Sequence, residues 1–224
     1  MTFDGFPRDT IRFLAGLSRN NDKKWFDGHR GEYEAGYIEP AKAFVGAIGP
    51  LLKSIDRDLQ AVPRVNGSMM RINRDIRFSK DKSPYKNHLD FWFWSGEEKG
   101  WDSSGFFFRL TKDKLMLGAG MHGFMPPVLA RYRAAVLDEK KGAALAKIVS
   151  RLRKAGHEVG GETYKKTPNG VPEDHPRAAL TRHSGLHAGW EGKHPKELFG
   201  AKCLDFVTRK FAEVAAIHAW LKTM

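Results

Sequence analysis

Apolar positions in the first sixty residues return every third or fourth place, the repeat of a helix with one buried face. Ile11, Leu14 and Leu17 form one such stripe, and Pro7 stands where a proline opens a helix at its first turn. Asn20 then suits the left-handed position after a helix end, and Asn21 the cap of a next helix that carries Trp25 and Phe26 inward. A third helix is predicted from near Pro40 to about Ile55 through Phe44, Val45, Ile48, Leu51 and Leu52, with a kink or break at Pro50. From about Asn66 to Gly120 the repeat falls to two, that of a strand. Met70, Ile72, Ile76 and Phe78 then lie on one side of an extended chain, with Arg71, Asn73, Asp75 and Arg77 on the other. Leu89 to Trp94 reads as a second strand, and Gly105–Leu110 with Lys114–Gly118 as a hairpin around Lys112-Asp113.

Helices resume at Pro126, through Val128 to Leu137 and then Lys140 to Lys154. Gly156 to Trp190 is rich in Gly, Pro and His and is expected to be irregular, before a closing amphipathic helix over about Ala201 to Leu221. Strands in succession without intervening helices imply antiparallel pairing. The fold class is therefore α+β: an antiparallel sheet of about four or more strands flanked by N-terminal and C-terminal helices. It reads as one domain over 1–224, helical over 1–60, sheet over about 66–120, with helices and the irregular stretch over 126–224.

Composition sharpens this in three places. An aromatic share of 12% argues against disorder. No run of eighteen apolar residues occurs, and Met1 to Phe13 already mixes Asp4, Arg8, Asp9 and Arg12, so no membrane and no secretory start is expected. A single cysteine, Cys203, cannot form an internal disulfide; it fits a reducing, cytoplasmic setting as a buried inert thiol. Lys and Arg number 38 against 26 Asp and Glu, a net charge of +12 that attracts nucleic acid or other polyanions.

That charge is concentrated. Arg71 to Lys86, RINRDIRFSKDKSPYK, sets Arg71, Arg74, Arg77, Lys80, Lys82 and Lys86 against Asp75 and Asp81, six cations to two carboxylates in sixteen residues. Apolar residues interleave with them, so the cations are read as held by a folded segment. Such an array suits phosphate, with Asp75 orienting an arginine and Tyr85 stacking or donating a hydrogen bond. The competing reading is an arginine–carboxylate network that only braces a sheet edge.

Asn20-Asn21 with Trp25-Phe26, the RDIRFSKDKSPYK run, the GAG at Gly118–Gly120, and the stretch from Tyr164 through KKTPNGVPEDHP to Leu180 together resemble the domain of unknown function 2461 family. The likeness spans nearly the whole chain. It implies an α+β fold and no particular activity.

Histidines supply the remaining chemistry. His183 and His187 stand four apart, as on one helical face, but Ser184-Gly185 weakens a helix there and no HExxH or cysteine pattern accompanies them, so no metal and no cofactor is expected. Gly118-Ala119-Gly120 before His122 fits neither a dinucleotide nor a P-loop fingerprint. Trp92, Trp94 and Trp101 raise base stacking, although alternate tryptophans on a strand more commonly pack beneath helices. The leading expectation is a basic anion pocket for nucleic acid or a nucleotide-like ligand. An enzyme acting on a phosphorylated or carboxylated small molecule, drawing a base from Asp75, His122 or His175, is the alternative. A structural or partner-binding protein is the third.

Overall fold

The computed structural model describes residues 3–97 and 103–224. Helix α1 (Arg8–Arg19) follows an extended Pro7 and buries Phe13, Leu14 and Leu17. Asn20 ends it at φ −133°, so the expected left-handed cap is not formed. Asp22, rather than Asn21, caps α2 (Lys23–Gly28), accepting the Trp25 N–H at 2.9 Å. Asn21 is engaged far along the chain instead, as described below. Helix α3 (Arg30–Tyr33) passes through a π-helical turn (Glu34–Ile38) into α4 (Glu39–Ile55). The break expected at Pro50 does not occur. Pro50 and Gly46, whose carbonyl loses its usual donor, both face solvent, where water can replace the missing bond.

Five strands form one antiparallel sheet in the order β1-β2-β3-β5-β4: β1 (His88–Trp94), β2 (Gly105–Thr111), β3 (Lys114–Met121), β4 (Glu158–Glu162) and β5 (His183–Lys193). Helices α5 (Pro126–Leu137) and α6 (Glu139–Lys154) precede β4, a short α7 (Ala178–Thr181) precedes β5, and a 3₁₀ turn (Lys196–Phe199) leads into α8 (Cys203–Leu221).

Two expectations are overturned here. Residues 70–78 are not a strand: only isolated bridges form, Met69 to Phe91 and Asn73 to Tyr85. Ser68–Met70 pairs with β1 (Met70 N–H to Asp90 O, 3.0 Å; Trp92 N–H to Ser68 O, 2.9 Å), after which the chain turns away. Ile72 goes inward at 4% exposure while Phe78, placed on the same face by the alternation, is 95% exposed. Nor is 156–190 wholly irregular, since β4, α7 and much of β5 lie in it. Close backbone approach to β5 requires glycine at two positions, one on β3 and one on β4. A Cβ on Gly120 (φ +141°) would come within 2.2 Å of Leu186 O, and one on Gly161 (φ +110°) within 2.1 Å of Gly185 O.

The chain divides into two compact units, each built from separated segments. The first runs from the start of the chain to Phe93 and takes in Phe107–Leu117 and Glu191–Arg209. Its core is largely aromatic: Phe6, Phe44, Phe91 and Phe108 meet with ring centroids 5.1 to 6.3 Å apart. The second comprises Trp94–Phe106, Gly118–Trp190 and Lys210–Met224. There Phe106 packs on Phe211, and Tyr132 lies edge-on to Trp220 while donating its hydroxyl to Leu180 O at 2.9 Å.

Candidate functional site

The basic stretch is a loop on a short neck. Arg74 N–H donates to Pro84 O at 2.9 Å and Lys86 N–H to Ile72 O at 2.7 Å, on either side of the Asn73–Tyr85 bridge. Asn21 clamps this neck from outside. Its amide donates to Tyr85 O at 2.9 Å and its carbonyl oxygen accepts Tyr85 N–H at 3.0 Å, imitating a neighbouring strand. The Tyr85 ring is buried and stacked on Phe26, 4.3 Å between centroids. The two motifs that stood far apart in sequence are thus one physical device.

Beyond the neck the loop is held by its own charges. The Arg74 guanidinium spans it, donating to Asp81 Oδ2 (2.5 Å), Ser83 O (3.1 Å) and Ser79 Oγ (3.4 Å). Arg77 grips Asp75 through Nε (2.9 Å) and Nη2 (2.6 Å), and its backbone N–H adds a third bond. Lys82 Nζ donates to Ile76 O at 3.0 Å. These bonds pull both carboxyls down to about 2: Arg77 does so for Asp75, Ser83 and then Arg74 for Asp81. Both are ionised at neutral pH, and neither is a useful base there. Arg74 keeps 25% of its side-chain surface in water and Arg77 keeps 75%; Lys80 and Lys82 are exposed.

A second cluster, missed in the sequence, follows directly on β1 and β2. The Asp90 side chain is only 13% exposed. Arg109 donates to it bidentately, Nε to Oδ1 at 2.7 Å and Nη2 to Oδ2 at 2.9 Å, and His88 Nε2 lies 3.1 Å from Oδ2. Tyr37 donates its hydroxyl to His88 O at 3.2 Å. Burial pushes the Asp90 carboxyl up, but the hydrogen bonds from His88 and Arg109 outweigh it and leave it lowered. Burial pushes the Lys86 ammonium down; Asp90 opposes that shift, and Arg109 and Arg71 add to it. A signal for this cluster existed: His88 and Asp90 are the only polar residues in HLDFWFW, and Arg109 the only charged one in GFFFRLT. Isolated charges in apolar strands need partners.

The expected residues therefore sort into three places. Arg74, Arg77, Lys80 and Lys82 belong to the loop, Lys86 lies in the electrostatic field of the Asp90 cluster, Arg71 acts on both Lys86 and Asp75, and Tyr85 anchors the neck. Of the suggested bases, Asp75 is in the first unit, whereas His122 and His175 are in the second. His122 is exposed, its ring 6.2 Å from that of His187; His175 Nδ1 accepts the Arg177 N–H at 3.1 Å. His183 and His187 lie on β5 rather than on a helix, and burial lowers both imidazole pKa values. Trp92 and Trp94 are buried, and Trp101 lies outside the described residues. Cys203 is buried on α8, its thiol pushed up to about 12.

Among the described residues, no helix is long and apolar enough to cross a membrane. The family described as conserved hypothetical protein (DUF2461) matches residues 9–220. No curated protein matches the chain.

Proposed function

Because the chain belongs to the conserved hypothetical protein family DUF2461, whose description names no activity, we propose a function from the geometry of the first unit: binding of phosphate-bearing ligands, nucleic acid or a nucleotide-like molecule. Arg71, Arg74, Arg77, Lys80, Lys82 and Lys86 carry it. Tyr85 acts from beneath as the anchor of the neck. The observation that supports this reading is the mounting of Arg77. Its Nε and Nη2 are fixed by Asp75, two residues away, while 75% of the side chain stays in water. A guanidinium held in place but left exposed has already lost much of the entropy that binding an anion would cost. Cations that only brace a fold are consumed by their partners.

The exposure of Arg77, Lys80 and Lys82 favours an extended polyanion over a small substrate. A cytoplasmic setting, with its nucleic acids, suits both this ligand class and the unpaired Cys203. The experiment is fluorescence anisotropy with labelled single- and double-stranded DNA from 25 to 200 mM salt. A log–log slope of about −3.5, from roughly five phosphate contacts, is expected for the single strand. No binding at 25 mM salt would sink the reading.

One observation favours the enzyme alternative, in which the substrate is a phosphorylated or carboxylated small molecule. Asp90 holds His88 through Nε2 and also acts on Lys86, and a carboxylate-bound imidazole is a suitable general base. In that version His88 replaces Asp75, whose carboxyl lies too low.

A further inference from the structure

Phe78 is by far the most exposed large hydrophobic residue among those described, at 95% against 56% for Met125. A lone exposed ring needs no explanation by itself. Its support is what sets this one apart. Ser79 N–H donates to Ile76 O at 3.3 Å, closing a four-residue turn with Arg77 and Phe78 at its corner. The same carbonyl accepts Lys82 Nζ at 3.0 Å, and Arg74 holds Ser79 Oγ. Arg77 is tied to Asp75 on the near side, with its guanidinium carbon 5.8 Å from the Phe78 ring centroid. The ring therefore projects from a corner fixed on three sides, next to a guanidinium and with Lys80 and Lys82 following in the chain.

We propose that Phe78 is a stacking platform for an unpaired base, so that the ligand of the basic loop is single-stranded nucleic acid. This rests on the polyanion reading given above and makes it specific. An aromatic ring stacks on the face of a base, which a duplex hides and a single strand offers. Arg77 beside the ring extends the platform and meets the adjoining phosphate; Lys80 and Lys82 meet the next ones. An anionic membrane surface fits less well. The ionised carboxylates of Asp75 and Asp81, 45% and 61% exposed, stand close to the ring in sequence and would face a flat negative sheet together with it. A flexible strand can route its phosphates past them.

The test compares wild type, Phe78→Ala and Phe78→Trp for binding labelled dT12, the corresponding duplex, and vesicles of phosphatidylcholine and phosphatidylserine. Thermal melting checks the fold. Wild type should prefer dT12 to the duplex. F78A should weaken dT12 binding about 5- to 100-fold with its salt slope and melting temperature unchanged, while F78W retains affinity. Equal dT12 affinity for F78A and wild type overturns the stacking proposal and leaves the polyanion reading standing. Phe78-dependent vesicle binding without oligonucleotide binding overturns it in favour of a membrane surface. No binding to any of the three overturns the polyanion reading beneath it.

Discussion

The first unit contains two bidentate arginine–carboxylate pairs that differ in almost everything except chemistry. Arg77 and Asp75 are two residues apart, both well exposed, on a loop. Arg109 and Asp90 are nineteen apart on adjacent strands, with the carboxylate 13% exposed and shared with His88. The local pair joins no separate elements, so its gain is confined to the shape of the loop. The distant pair ties β2 to β1 and neutralises a charge that burial would otherwise penalise. One arrangement holds a cation outward, and the other holds an anion in. The difference predicts which arginine serves a ligand and which serves the fold.

The largest effect expected is on the inner pair. Arg109→Ala leaves Asp90 without its bidentate partner and should cost about 3 kcal/mol in denaturant unfolding. An unchanged midpoint would remove the cluster from the list of structural supports. Next comes the neck. Asn21→Ala strips Tyr85 N–H of its acceptor and should cost about 1–2 kcal/mol, with faster amide exchange at Tyr85 and Lys86 measured by NMR. Exchange no faster than wild type would mean that the neck stands without the clamp. The pH dependence follows from Asp90. Its folded carboxyl lies below the unfolded value of about 3.9, so its contribution is fully present above that value and is lost as pH falls through the folded pKa. Wild type should therefore lose stability more steeply than Asp90→Asn below about pH 4, in urea titrations at stepped pH. Parallel curves would contradict this. The smallest effect is on the outer pair: Arg77→Ala should change stability by less than about 0.5 kcal/mol. A substantial loss would make the loop an internal brace.

The sequence revealed much of the scaffold. Helical spacing marked α1 and α4, and aromatic alternation marked β1 and the β2–β3 hairpin, because burial on one face writes itself into the period. It misled where tertiary partners override pattern. Alternation from Met70 to Phe78 suggested a strand, yet beyond Met70 the chain gains only the single bridge of Asn73 to Tyr85, and Phe78 turns to solvent. Strands β4 and β5 were obscured by glycines that weaken strand propensity but permit the close crossings at Gly161 and Gly185. The cations of the site were legible by count. Their division was not, since His88, Asp90 and Arg109 meet only after β1 and β2 pair.

The most direct test of that division is the salt dependence of dT12 binding by wild type and by an Arg77→Ala, Lys80→Ala, Lys82→Ala variant, with melting followed in parallel. The predicted result is a log–log slope shallower by about 2 in the variant, with an unchanged melting temperature. An unchanged slope with a lowered melting temperature would contradict it, and would make the outer loop, like the Asp90 cluster, part of the fold's own support.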